Sequence, residues 1–96
     1  MKLTKKDIKA IEDLDWSVEK TGNGYVLENY SPCGGDMVIE AKTKEEIIDY
    51  CDTYDAEEEF KVWYGANNGE PSNPGELWQD CVDKGHMYED LSLALR

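Results

Sequence analysis

The side chains best suited to nucleophilic or metal chemistry in this 96-residue chain are its three cysteines, Cys33, Cys51 and Cys81, and its single histidine, His86. A structural zinc site draws ligands from pairs close in sequence, because two neighbouring donors are already positioned for one ion. There is no C-x-x-C pair here, and His86 follows Cys81 at a spacing of five, which is poor on a helix. A thiol nucleophile needs a base, and nothing in the sequence brings Cys33 to His86. Cys51 and Cys81 fall on apolar helical stripes, where a free cysteine acts as a small hydrophobe. Cys33 lies in a glycine-containing turn. We expect no catalytic residue, no metal, no cofactor and no enzymatic activity.

Carboxylates are the other candidates. Asp49, Asp52 and Asp55 are spaced three apart, which is a helical interval, and they lack the glycine-containing loop of an EF-hand. Pairs of acids suited to general acid-base work cannot be singled out, because acids are everywhere. The chain holds 22 Asp and Glu against 10 Lys and Arg, a net charge of -12, with a pI near 4.3. That balance argues against nucleic acid, whose binding rests on Lys and Arg at phosphates, and against anionic membranes. It favours a basic protein surface as partner. From Asp36 to Asp90 the imbalance is sharpest, with sixteen acids against four lysines, Lys42, Lys44, Lys61 and Lys84. A merely solvated helix face mixes Lys with Glu.

The elements that carry these residues can be read from periodicity. Thr4 followed by Asp7 predicts a capped first helix with Ile8, Ile11 and Leu14 on its apolar stripe. Trp16 to Lys20 alternates as a strand with Trp16 and Val18 inward. Thr21-Gly22-Asn23-Gly24 is a hairpin turn, since Asn and Gly accept positive φ. Tyr25 to Tyr30 and Met37 to Ala41 are two further strands, joined by a looser turn over Ser31 to Asp36. Thr43 and Glu46 form a second capping box. Along the helix that follows, Ile47, Ile48, Cys51 and Tyr54 share one face and Glu45, Asp49 and Asp52 the other. Asp55 caps a third helix, on which Phe60 and Trp63 share a buried side and which Gly65 stops. After a loop from Ala66 to Asn73, Pro74 opens a last helix. Its stripe is Leu77, Cys81, Tyr88, Leu91 and Leu95, with Glu76, Asp80, Asp83 and Asp90 on an adjacent flank and an interruption at Gly85. Trp63 and Trp78 are expected in the core.

These elements make one α+β domain over residues 1–96, in the order α-β-β-β-α-α-α, with a three-stranded antiparallel meander packed against helices. No apolar run approaches a membrane span, and the basic N-terminus lacks the apolar stretch of a signal peptide. With an odd number of widely spaced cysteines, the expectation is a cytosolic protein with reduced thiols.

Scattered residues resemble small acidic proteins of gut Firmicutes that are common on conjugative and other mobile elements. They are Tyr30-Ser31-Pro32, Gly35-Asp36, Trp63-Tyr64-Gly65-Ala66, Gly69, Pro71-Ser72, Leu77, Asp80, Glu89-Asp90-Leu91 and Ala94-Leu95. That resemblance implies no established activity. The element order and acidity also resemble phage-borne type II-A anti-CRISPR inhibitors, which include small acidic α-β-β-β-α-α proteins. These occupy the site where Cas9 reads the DNA motif beside its target. No sequence motif carries this second resemblance, so no residue role transfers with it.

Helix geometry gives the functional expectation its form. At a rise of about 1.5 Å per residue, Glu45 and Asp49 are separated by about 6 Å along the axis. Phosphates on one DNA strand are about 3.4 Å apart, so side-chain reach could bring such carboxylates into comparable array. The sequence therefore predicts an acidic binding protein of a phage or mobile element that mimics DNA to inhibit a defence nuclease. Its contact residues are Glu45, Asp49, Asp52, Glu57, Glu58, Asp80 and Asp83. The alternative is a non-enzymatic adaptor that meets a protein partner through the sheet or the Trp63–Trp78 region.

Overall fold

Thr4 opens the fold as a reciprocal helix cap. Its hydroxyl accepts from the Asp7 backbone N–H at 3.1 Å, and the Asp7 carboxylate accepts from the Thr4 N–H at 3.0 Å. The helix behind it, α1 (Lys5–Asp13), buries Ile11 and lays Ile8 against the core. The computed structural model describes residues 2–30, 36–66 and 74–96 of the chain. The turn at Asp15, a non-glycine residue with φ of 66°, ends the first helix and aims the chain into the sheet.

The sheet order is β1 (Ser17–Lys20), β2 (Tyr25–Tyr30), β3 (Asp36–Ala41), antiparallel throughout. Trp16 lies just ahead of β1 rather than within it, and it is buried. The first hairpin closes through the Thr21 N–H donating to the Gly24 carbonyl at 2.8 Å. Gly24 has no room for a side chain, because a Cβ there would overlap the Ala41 carbonyl oxygen and come within 2.8 Å of Lys42 Cα. Strand alternation sorts the residues cleanly. Tyr25, Leu27 and Asn29 of β2 and Met37, Ile39 and Ala41 of β3 point to the buried face. The turn expected over Ser31 to Asp36 is described only at Asp36, which begins β3; residues 31–35 lie outside the described residues.

The helix α2 (Lys44–Asp52) starts at Thr43, whose hydroxyl accepts from the Glu46 N–H at 3.2 Å. The capping box is shifted by one residue at its other half. Glu46 reaches back to the Lys42 N–H, at 2.7 Å, rather than to Thr43. Ile47 and Cys51 of α2 are buried, and Ile48 and the following Tyr54 pack against the core. Asp55 then caps α3 (Ala56–Ala66) by accepting from the N–H groups of Glu57 and Glu58, at 3.0 and 3.2 Å. The last helix, α4 (Pro74–Leu95), is 22 residues long and buries Cys81, Tyr88, Leu91, Ser92 and Leu95. Tyr88 is the hub of an aromatic cluster, with ring centroids 5.9 Å from Trp16, 5.6 Å from Tyr50 and 4.9 Å from Tyr54. Fully burying side chains such as Ile11, Leu27, Ile39, Ile47 and Leu91 is worth about 1.5–3 kcal/mol each relative to exposure, and all five are wholly buried.

One expectation about the last helices is corrected: Gly65 does not stop α3, which runs to Ala66. Gly85 lies inside a single α4, as the stripe running past it implies. The loop expected from Ala66 therefore loses its first residue to α3, and its remainder, 67–73, lies outside the described residues. The reason the aromatic residues of α3 are not core is one of length. A helix of 22 residues extends about 33 Å, whereas a six-residue strand spans about 20 Å. The N-terminal part of α4 therefore overhangs the sheet, and α3 packs against that overhang. None of α3 is buried. The molecule is accordingly long and narrow, 43 × 23 × 19 Å.

Candidate binding surfaces

The thiols are where a core reading puts them. Cys51 and Cys81 are buried and unbridged. Burial pushes the Cys51 thiol up to about 12, and burial likewise raises Cys81, so neither supplies a thiolate near neutral pH. The Tyr54 hydroxyl donates to the Cys81 carbonyl at 3.1 Å, and burial raises the Tyr54 hydroxyl as well. Cys81 faces inward while His86 is exposed, so the two share no site. Cys33 lies outside the described residues. Among the described residues, no group of three or more His, Cys, Asp or Glu stands close enough to hold a metal ion.

The seven expected contact acids divide into two sets. Glu45, Asp49, Glu57 and Glu58 are exposed on α2 and the first turn of α3. The Glu45 carboxyl is held below its ordinary value by hydrogen bonding to its own backbone N–H. Glu57 takes an ion pair from Lys61 at 3.2 Å, one turn on, with both groups in solvent. Such a pair is weak and readily exchanged. Glu58 lines a shallow cleft of about 250 Å³ with Tyr50, Thr53, Tyr54, Asp55 and Glu59, where α2 meets α3. Three carboxylates and two tyrosine rings in one cleft suit the head of a Lys or Arg side chain.

The other three acids are used within the fold. Asp52 ion-pairs with Arg96, and Ser92 Oγ donates to it at 2.7 Å. Arg96 Nε also donates to Ser92 Oγ at 3.2 Å, so Asp52 anchors the end of α4 to α2. Asp80 has a carboxylate only 14% exposed and pairs with Lys84 at 3.2 Å. Asp83 is half-buried and accepts from Gln79 Nε2 at 2.9 Å. Sequence spacing placed these acids on exterior arcs. It did not show that Arg96 and Ser92 would be folded against Asp52.

The aromatic expectation is reversed. Trp63 is 47% exposed and Trp78 42%, beside exposed Val62 and Tyr64. Phe60, half-buried, stacks edge-on against Trp78 at 5.5 Å and lies 5.6 Å from Tyr64. The Trp63 indole N–H donates to Glu59 Oε1 at 2.7 Å. Lone exposed aromatics are ordinary, but this group is contiguous and rimmed by the acids of α3.

The adaptor alternative names the sheet without saying which of its residues face outward. Those that do are Ser17 and Glu19 of β1, Val26, Glu28 and Tyr30 of β2, and Asp36, Val38 and Glu40 of β3. Strand alternation alone locates them, once the inward set is fixed. Among the described residues no helix is long and apolar enough to cross a membrane. Comparison with known protein families, with curated proteins and with solved structures gave no match.

Proposed function

We propose that this protein works by binding, as an acidic ligand for a basic protein surface. In its sharpest form it is a phage or mobile-element inhibitor that occupies the DNA groove of a host defence nuclease, of the CRISPR or restriction type, in the host cytosol. The observation that carries this reading is how the lysines are used. Between Asp36 and Asp90 the sequence has four lysines, and three of them are already in ion pairs, Lys44 with Asp7, Lys61 with Glu57 and Lys84 with Asp80. Asp7 lies outside the stretch, so within it two of these pairs, Lys61–Glu57 and Lys84–Asp80, stand against sixteen acids. The resulting field is negative over α2 and α3 and attracts the Lys and Arg that line a DNA-binding groove.

The contact surface supported by geometry is narrower than the sequence suggested: Glu45, Asp49, Glu57 and Glu58, with the cleft at Tyr50 and Asp55. The test is charge reversal there. The triple variant Glu45→Lys, Asp49→Lys, Glu58→Lys should keep its fold and lose capture of DNA-binding nucleases from a bacterial lysate. Wild-type capture should fall steeply between about 50 and 200 mM salt. Capture that survives both manipulations would count against an electrostatic mimic.

A second reading is favoured by the exposure of Trp63 and Trp78. An adaptor that docks through these rings would use Trp as its binding anchor. Trp63→Ala and Trp78→Ala would then reduce capture more than the charge reversals do.

A further inference from the structure

We infer that the open face of the sheet is a docking surface for a cationic polypeptide, a segment that alternates Lys or Arg with apolar side chains. This rests on the reading of the protein as an acidic binder and assigns it a surface apart from the helices. Among the described residues, the helices pack on the face that carries Leu27 and Ile39, and the other face is turned away from that core. An antiparallel sheet can leave one face in water, and that face then carries polar residues with opposite charges paired across strands. This one differs in two respects. It exposes apolar side chains, with Tyr30 at 73% and Val38 at 43%. It also has four carboxylates, from Glu19, Glu28, Asp36 and Glu40, and no Lys or Arg among its residues.

Register gives these groups a pattern. Glu28 sits on the central strand opposite Ser17 on one side and Val38 on the other. Its diagonal neighbours are therefore Glu19, Asp36 and Glu40, at about 7–8 Å. The acids form one colour of a checkerboard, and Val26, Val38 and Tyr30 lie on the other. Like charges at that separation repel one another, and a partner that supplies cations between them relieves that repulsion. The same pattern selects the occupant. A second copy would set Glu28 against another acidic face, and nucleic acid or an anionic membrane would be repelled outright. A strand or helix face bearing alternate Arg and apolar groups matches both the charge and the spacing.

The probe is a synthetic peptide alternating Arg with Val, titrated into the ¹⁵N-labelled protein. Amide shifts should concentrate in β2 and β3, over 26–30 and 36–40. Two variants equal in net charge separate a local surface from overall acidity. Glu28→Gln with Glu40→Gln should weaken binding about tenfold, whereas Glu89→Gln with Asp90→Asn, exposed acids of α4 outside both surfaces, should change it less than about twofold. Tyr30→Ser, which leaves the charge unchanged, should weaken binding as well. Circular dichroism checks that each variant keeps the wild-type fold. Equal weakening by both double variants, or shifts centred on α2 and α3, overturns the sheet face while leaving the acidic-binder reading intact. Binding indifferent to both double variants and to added salt overturns both.

Discussion

At the scale of single residues, acids of one chemical type serve opposite ends. Asp49 stands in water, while Asp52, three residues on, ties α2 to the end of α4 through Ser92 and Arg96. Charge reversal at Asp52 would therefore test the fold more than the function, which is why it is left out of the variant proposed for binding. Asp7 is another structural acid. Its carboxylate accepts the Thr4 N–H and pairs with Lys44 at 3.3 Å, so it fixes α1 and links it to α2. The Thr4 backbone hydrogen bond is the largest influence holding its pKa below the ordinary 3.8. A depressed carboxyl pKa stabilises the folded state above its unfolded value, and that contribution fades as pH falls through the folded value. Asp7→Ala should therefore cost about 1 kcal/mol at neutral pH, as loss of a cap does. The gap from wild type should close as Asp7 becomes protonated below pH 3.8. Urea unfolding of the two proteins across that range measures it, and a gap unchanged in acid would mean that the carboxylate charge is not the stabilising feature.

At the scale of elements, what could be read in advance was what depends on neighbours in sequence. Thr4, Thr43 and Asp55 announced three helix starts, and each side chain accepts the backbone hydrogen bonds that its position requires. Alternation from Tyr25 to Tyr30 and from Met37 to Ala41 gave the meander. What depends on lengths in space was not legible. Phe60 and Trp63 share a helical side as expected, but the core ends before reaching them, because α4 outruns the sheet. The acidic flank of α4 is a local matter instead: Lys84 and Gln79, one turn from Asp80 and Asp83 respectively, turn onto them at a spacing the sequence already contains. At Gly85 the nearest neighbour is the Tyr54 ring, 3.5 Å from where a Cβ would sit. That is ordinary van der Waals contact, and the position is mid-helix. Gly85→Ala should thus raise stability by about 0.5–1 kcal/mol, the helix-propensity difference. A larger residue should push Tyr54 off the Cys81 carbonyl and lower it. Paired chemical denaturation of Gly85→Ala and Gly85→Leu would show the two signs; a loss in the alanine variant would mean that Tyr54 cannot give way at all.

For the whole molecule, charge opposes folding and serves binding at once. A net charge of -12 on 96 residues repels itself most strongly in the folded state, where acids on α2, α3 and the open sheet face are brought together. Among the described residues, Asp7–Lys44 and Asp52–Arg96 join distant parts of the chain, while Lys61–Glu57 and Lys84–Asp80 lie within single helices. Salt screens both effects, but the exposed acids repel over longer distances and are screened more completely than the part-buried Asp7–Lys44 pair. Added sodium chloride should therefore stabilise this protein. Between about 20 and 500 mM, a gain of roughly 1 kcal/mol would raise Tm by about 4–8 °C for a domain of this size. The same salt range should weaken its grip on a basic partner. The opposed salt responses are what distinguish an acidic surface kept for recognition from one that fold-internal pairs have already neutralised. Calorimetry of the free protein and binding titrations run on one salt series would show the two curves moving in opposite directions. A Tm that falls with salt would mean that the internal pairs dominate, and the carboxylates would then have no unspent charge to offer a partner.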